Sequence, residues 1–263
     1  MLAKIVQQTR KAVAAAKIGR PIAGLGEIMP GCFAFSSAVS RKDWTLIAEC
    51  KLASPAKGRL CSRYTVIELA QIYASQGAAA LSVHTNAAFC GSMDDIMRVK
   101  ANVELPVLCK EFIIDEYQLY AARAAGADAV LLIAAILSDG ELVRFLQIAR
   151  KLGMDCLVEV HTLAELKRVQ QTDAGVIGIN NRDLQTFTTD IEQTFRLLPY
   201  CEPGRLIISE SGIKDGHDAE KLKSAGVNGI LVGESLVTAD NIAAKTWELA
   251  LIGSKQEGRG YDA

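Results

Sequence analysis

The chain has 263 residues, half of them hydrophobic, and a formal net charge of −1 from 29 Lys/Arg and 30 Asp/Glu. This balance offers no basic stripe for nucleic acid and no cationic cluster for an anionic membrane. The longest apolar runs, such as AVLLIAAIL at 129–137, fall far short of a bilayer span, and the N-terminus lacks the continuous apolar stretch of a secretory signal. A cytoplasmic protein is therefore expected, with length enough for one large domain.

In chain order, MLAKIVQQTRKAVAAAK alternates charge with apolar residues at helical spacing, so residues 1–44 read as an N-terminal helical extension. Eight β-rich runs follow: TLIAEC (45–50), ALSVHT (80–85), LPVLCK (105–110), AVLLIAAI (129–136), DCLVEV (155–160), VIGIN (176–180), RLIISE (205–210) and GILVGE (229–234). Between them lie amphipathic segments such as TVIELAQIYASQ and DEYQLYAARAAG. A glycine before the next strand (QGAAA, AGADAV, AGVNGI) suits a helix C-cap. Eight strand–helix alternations without a long linker predict a single (β/α)₈ TIM barrel over 45–253, followed by a short tail at 254–263. An open doubly wound sheet would carry a G-x-G-x-x-G turn after its first strand, and none is present.

In such a barrel, chemistry gathers at the C-terminal ends of the strands. Those ends supply Glu49 and Lys51, His84, Lys110, Glu159 and His161, Asn180, and Glu210 with Ser211. Any one of them could be a solvated strand terminus; ionisable groups at most ends together point to an enzyme. The loops SESGI (209–213) and VGESL (232–236) carry small residues that let backbone N–H groups approach an anion, so a phosphorylated substrate is expected there. Two lysines, three glutamates and an asparagine suit proton transfer at a carbonyl, with a Schiff-base lysine at Lys110 as a competitor. Burial is expected to bring a lysine pKa toward neutrality and to raise a glutamate's. Lys51 and Lys110 could instead be plain ion-pair partners of Glu49 and Glu159. Seven scattered cysteines form no C-x-x-C pair and do not combine with the three histidines at metal spacing, so no metal is expected. Cys50, Cys109 and Cys156 lie in apolar runs and read as small hydrophobes.

The motifs resemble those of the indole-3-glycerol phosphate synthase family, a (β/α)₈ lyase family of tryptophan biosynthesis. LIAECKLASPAKG (46–58) looks like its first-strand motif, and PVLCKEFIIDEYQLYAARAAGADAVLLI is similar to its third- and fourth-strand region. LVEVHTLAEL, GINNRDLQTF, SESGI and VGESL match the later strands in order. The resemblance implies ring closure, decarboxylation and dehydration of 1-(2-carboxyphenylamino)-1-deoxyribulose 5-phosphate, with no cofactor and with a small phosphorylated molecule as the only partner. By position it implies that Lys110 is the general acid at the ketone and that Lys51 meets the substrate carboxylate and can also serve as a proton donor, with the step at which each lysine acts left open. Glu159 is then the acid/base glutamate, and Glu49, Asn180 and Glu210 line the same mouth. Ser54, Phe89, Phe112, Arg182 and Ser211 resemble pocket residues. Gly212, Gly233, Glu234 and Ser235 fall at the phosphate end. With no apolar stripe demanding a partner, a monomer is expected.

The chain departs from the family pattern at SVHTN, where SVLT followed by an acid is usual, which singles out His84 and Asn86. Cys109 stands where arginine is frequent, and Ala56 replaces a serine. No proton-transfer task is left vacant, so His84 reads as a rim substitution that finds water or Asn86, and His84→Leu is expected to change kcat/KM less than about tenfold, or ~1.4 kcal/mol. Three rival readings remain at this stage. One is another phosphosugar barrel, such as phosphoribosylanthranilate isomerase or a histidine-pathway isomerase. Another is a paralogue that only binds a phosphorylated ligand, and the last is a lyase serving a specialised indole pathway.

Overall fold

A strand buried on both faces sends alternate side chains to opposite sides, and that parity decides what enters this barrel. The strands are β1 (Thr45–Cys50), β2 (Ala80–His84), β3 (Val107–Lys110), β4 (Ala129–Ile133), β5 (Asp155–Val160), β6 (Val176–Asn180), β7 (Leu206–Glu210) and β8 (Gly229–Val232). All pair in parallel with their chain neighbours, and β1 pairs with both β2 and β8, closing the ring. The structure, a computed structural model, describes residues 2–184, 186 and 188–252. Residue 253 and the tail expected at 254–263 lie outside the described residues.

Two apolar layers follow from the parity. Ile47, Leu108, Leu131, Leu157, Ile208 and Leu231 fill the barrel interior, whereas Leu46, Val83, Val130, Val158, Ile177 and Ile230 face the surrounding helices. The interior is plugged at its N-terminal end by Phe35 and Val39 of the short helix Ala34–Ser40, whose Ser36 N–H donates to Asp155 Oδ2 at 2.8 Å. The rest of the N-terminal segment runs up the outside. Helix Leu2–Gly19 is fixed by Lys17 to Asp115 and by Val13 packed with Leu25 and Tyr117. Its first turns reach the barrel mouth.

The connecting helices begin where capping residues stand. Thr65, Ser92, Asp115 and Ser138 each close a capping box with the residue three further on. The glycines expected to stop helices, Gly77, Gly126 and Gly226, have φ of 94°, 95° and 95°. β4 and β8 stop three and two residues short of the runs read from the sequence, and β2, β3 and β7 differ from theirs by one or two. Residues 134–136 form a 3₁₀ turn after β4, and Glu234 opens a helical turn, Glu234–Val237, after β8. A short apolar run cannot by itself separate strand from one turn of helix. Among the described residues no helix is long and apolar enough to cross a membrane.

Candidate active site

Five of the polar strand-end groups share one property: each is the last inward-facing residue of its strand, whereas Lys51, His161 and Ser211 lie just past their strands. From Ile47 the inward series continues to Glu49; from Leu108, to Lys110; from Leu157, to Glu159; from Val176 through Gly178, to Asn180; and from Ile208, to Glu210. They form the floor of one open cavity of about 390 Å³ at the C-terminal end of the barrel. All six catalytic candidates lie on its wall. So do Ser54, Phe89, Phe112, Arg182 and Ser211, and so do Gly212, Gly233, Glu234 and Ser235.

Lys110 is the hub. Its Nζ lies 2.6 Å from Glu210 Oε2 and 3.5 Å from Glu159 Oε2. Burial alone would pull its pKa down, but the charges of Glu210, Glu159 and Glu49 outweigh it and hold the ammonium above its ordinary range. The lysine is therefore not brought toward neutrality, which argues against a free-amine nucleophile and for a proton donor. The carboxylates divide. Burial would raise Glu159, but Lys110, His161 and a hydrogen bond from Asn180 bring it well below the usual carboxylate range. Glu210 goes the other way: burial raises it, Lys110 resists, and Glu159 and Glu49 add repulsion, leaving it displaced toward neutrality. Its Oε1 is buried without a hydrogen-bond partner, packed where only a glycine fits, because a Cβ on Gly178 would collide with it. Only Glu210 follows the expected upward shift.

At the opposite side, Glu49 is divided between two partners. Oε1 bonds His84 Nε2 at 2.9 Å, and Oε2 lies 3.6 Å from Lys51 Nζ. Burial opposes its charge, but Lys51 and His84 prevail and keep its pKa low. Lys51 Nζ also stands 5.8 Å from the centre of the Phe89 ring, within cation–π range. The expectation that His84 would sit on the rim against water or Asn86 is corrected: His84 is buried, facing Glu49. Asn86 instead donates to Glu111 at 2.7 Å and to Thr9 of the N-terminal helix at 3.2 Å, tying that helix to the mouth.

The two loops beyond β7 and β8 meet. Ser235 Oγ donates to the Ile213 carbonyl, and Ser211 and Gly212 take successive left-handed conformations, with φ of 67° and 78°. Glu234 is bridged by Lys57 and lies 4.0 Å from Arg182. Sequence reading missed several lining groups: Lys57, although it stands inside the first-strand motif, Glu111, and the apolar Leu131 and Ile133. The last two could have been found by extending the inward parity of β4. The three strand cysteines are buried as expected, and burial pushes the Cys109 thiol up to about 12.

His161 supports Glu159 from behind. Its Nε2 is 3.2 Å from Glu159 Oε1, close enough for an ion pair though not aligned as a hydrogen bond, and Nδ1 is 3.2 Å from Glu165. Burial works against the imidazolium, but Glu159 and Glu165 raise its pKa to about 10. The folded value exceeds the unfolded one near 6.5, so the folded state binds more protons in between. The stability it contributes should be complete below about pH 6.5 and lost as pH rises toward 10, with a slope of at most ~1.4 kcal/mol per pH unit. Denaturant unfolding of the parent and His161→Gln between pH 6 and 10 checks this: the gap between them should close as pH rises.

The sequence profile of the indole-3-glycerol phosphate synthase family matches residues 2–249. Among curated relatives, the indole-3-glycerol phosphate synthase of Desulforamulus reducens is 51% identical over 81% of this chain and 81% of its own length. That of Alkaliphilus metalliredigens is 39% identical over 95% of this chain and 97% of its own. A solved 3-hexulose-6-phosphate synthase from Salmonella typhimurium superposes with a TM-score of 0.63 over 78% of this chain and 96% of that one; at 14% identity it is alike in fold alone. A match over nearly the whole chain, on a barrel whose inward strand ends carry the motif residues, places this protein in the indole-3-glycerol phosphate synthase family.

Proposed function

We propose that the protein converts 1-(2-carboxyphenylamino)-1-deoxyribulose 5-phosphate to indole-3-glycerol phosphate, with the site residues dividing the work as follows. The observation that carries this assignment is the single cavity into which Lys110, Lys51, Glu159 and Glu210 all project. The substrate phosphate lies against the backbone of Ser211, Gly212, Gly233 and Glu234, with Ser235 joining the two loops. Its carboxyphenyl end lies toward Phe89, Phe112 and Lys51, where an ammonium and aromatic faces meet a ring and its carboxylate.

Lys110, held protonated, gives its proton to the ketone oxygen as the ring carbon bearing the carboxylate attacks the carbonyl carbon. The bond to the carboxylate then breaks, carbon dioxide leaves, and its electron pair restores the aromatic ring. The new hydroxyl departs as water with a second proton from a lysine ammonium. Glu159, ionised and 3.5 Å from Lys110, accepts the proton that the intermediate releases. Action as a monomer is part of this reading, since the chemistry described uses only Lys51, Lys110 and Glu159 of a single chain.

The experiment is incubation with the carboxyphenylamino substrate, following indole fluorescence and released carbon dioxide together. Both should rise in equal amounts. Isomerised product without carbon dioxide, or binding without turnover, would overturn the assignment.

A further inference from the structure

Four contacts at one side of the cavity close on themselves. Glu49 Oε1 meets His84 Nε2 at 2.9 Å; the His84 ring stacks on Phe89 with centroids 4.3 Å apart and planes 4° from parallel. Phe89 lies 5.8 Å below Lys51 Nζ, and Lys51 returns to Glu49 Oε2 at 3.6 Å. The loop bearing Phe89 is itself folded back on His84. Asn86 Oδ1 accepts the Ala88 N–H, Cys90 is left-handed at φ 58°, and a Cβ on Gly91 would strike the His84 carbonyl. On its far side Glu49 Oε2 packs against Gly233, where a Cβ has no room.

We propose that His84 is a positioning residue: by donating Nε2–H to Glu49 Oε1 and stacking on Phe89, it keeps the Glu49–Lys51 pair loose, at 3.6 Å through Oε2 alone, so that the ammonium stays available to the substrate's carboxylate. The proposal rests on the reading of the site given above and extends it to a residue that the resembling family usually has as leucine. Leucine offers neither a donor nor a flat face. Its introduction strands a buried carboxylate oxygen, whose cheapest relief is a closer pairing with Lys51. Burial lowers the His84 pKa; Glu49 opposes it, and Lys51 and Lys110 add to the preference for a neutral imidazole. The ring then carries one proton, and a carboxylate partner places it on Nε2.

The test is a kinetic cycle of His84→Leu, Glu49→Gln and the double variant, with His84→Gln as the conservative control. His84→Leu should lower kcat/KM at least about tenfold, mainly through KM, since Lys51 is drawn from the substrate. His84→Gln, whose amide can donate to Glu49, should recover to within about threefold of the parent. In the Glu49→Gln background, His84→Leu should cost less than about threefold. A His84→Leu enzyme within threefold of the parent, or an equal loss in both backgrounds, would overturn the proposal while leaving indole formation intact. Nitrogen-15 NMR of the imidazoles reads the same contact without turnover. At pH 7 His84 should be neutral with its proton on Nε2 and should shift on Glu49→Gln; a cationic or unresponsive ring would sink the idea.

Discussion

Lys110→Ala is expected to lower kcat at least ~10²-fold, the lower range for removing a general acid. The reason is the ammonium's setting. Three carboxylates hold it protonated, and it projects from the end of β3 into the centre of the cavity, where a ketone oxygen can take its proton. The loss should fall on kcat more than KM, because the donated proton is worth most when the oxygen carries developing charge. Lys110→Arg should not restore the rate, since a guanidinium keeps the charge but does not give up a proton. The fold should survive in Lys110→Ala, because Glu210 already lies toward neutrality and can take up a proton once its ammonium partner is gone. Steady-state indole fluorescence at saturating substrate measures the effect; a kcat near the parent's would remove Lys110 from the proton-transfer step.

Glu159→Gln should cost a comparable factor in kcat with little change in KM. The amide keeps the shape that His161, Lys110 and Asn180 surround, but it cannot accept a proton. The change also has a signature in the pH dependence. Glu159 is one of the charges that raises the Glu210 pKa, so neutralising it should move Glu210 downward. The limb of the kcat/KM profile belonging to Glu210 should therefore shift to lower pH in the variant. An unchanged limb, together with a normal rate, would mean that Glu159 neither takes the proton nor feels its neighbour.

Much of this site was legible because a pleated strand repeats every two residues. An apolar strand buried on both faces stands out as a run bounded by turn residues, and counting inward positions from Ile47 reaches Glu49, just as Leu108 leads to Lys110. The same count puts Glu49, Lys110, Glu159, Asn180 and Glu210 on one cavity floor, and the other ten candidates line the same cavity from the segments that follow the strand ends. It did not mark where β4 and β8 stop, since apolar character continues smoothly into a helical turn at Ala134 and a small residue at Gly233 suits either.

Partners across the ring were beyond reach. Lys110 and Glu210 are 100 residues apart in the chain and 2.6 Å apart in space. His84 read as a rim residue because nothing in SVHTN says that its imidazole faces Glu49, 35 residues earlier. The lysine pKa was expected to fall for the same reason: burial is visible in an apolar run, whereas the number of carboxylates facing one ammonium is not. Sequence periodicity determined which side chains enter the barrel and at which end. Closure of the eight strands decided which of them meet, and with it the direction of the Lys110 and Glu210 shifts, because interactions between buried charges depend on distances of a few ångströms that the closed ring sets.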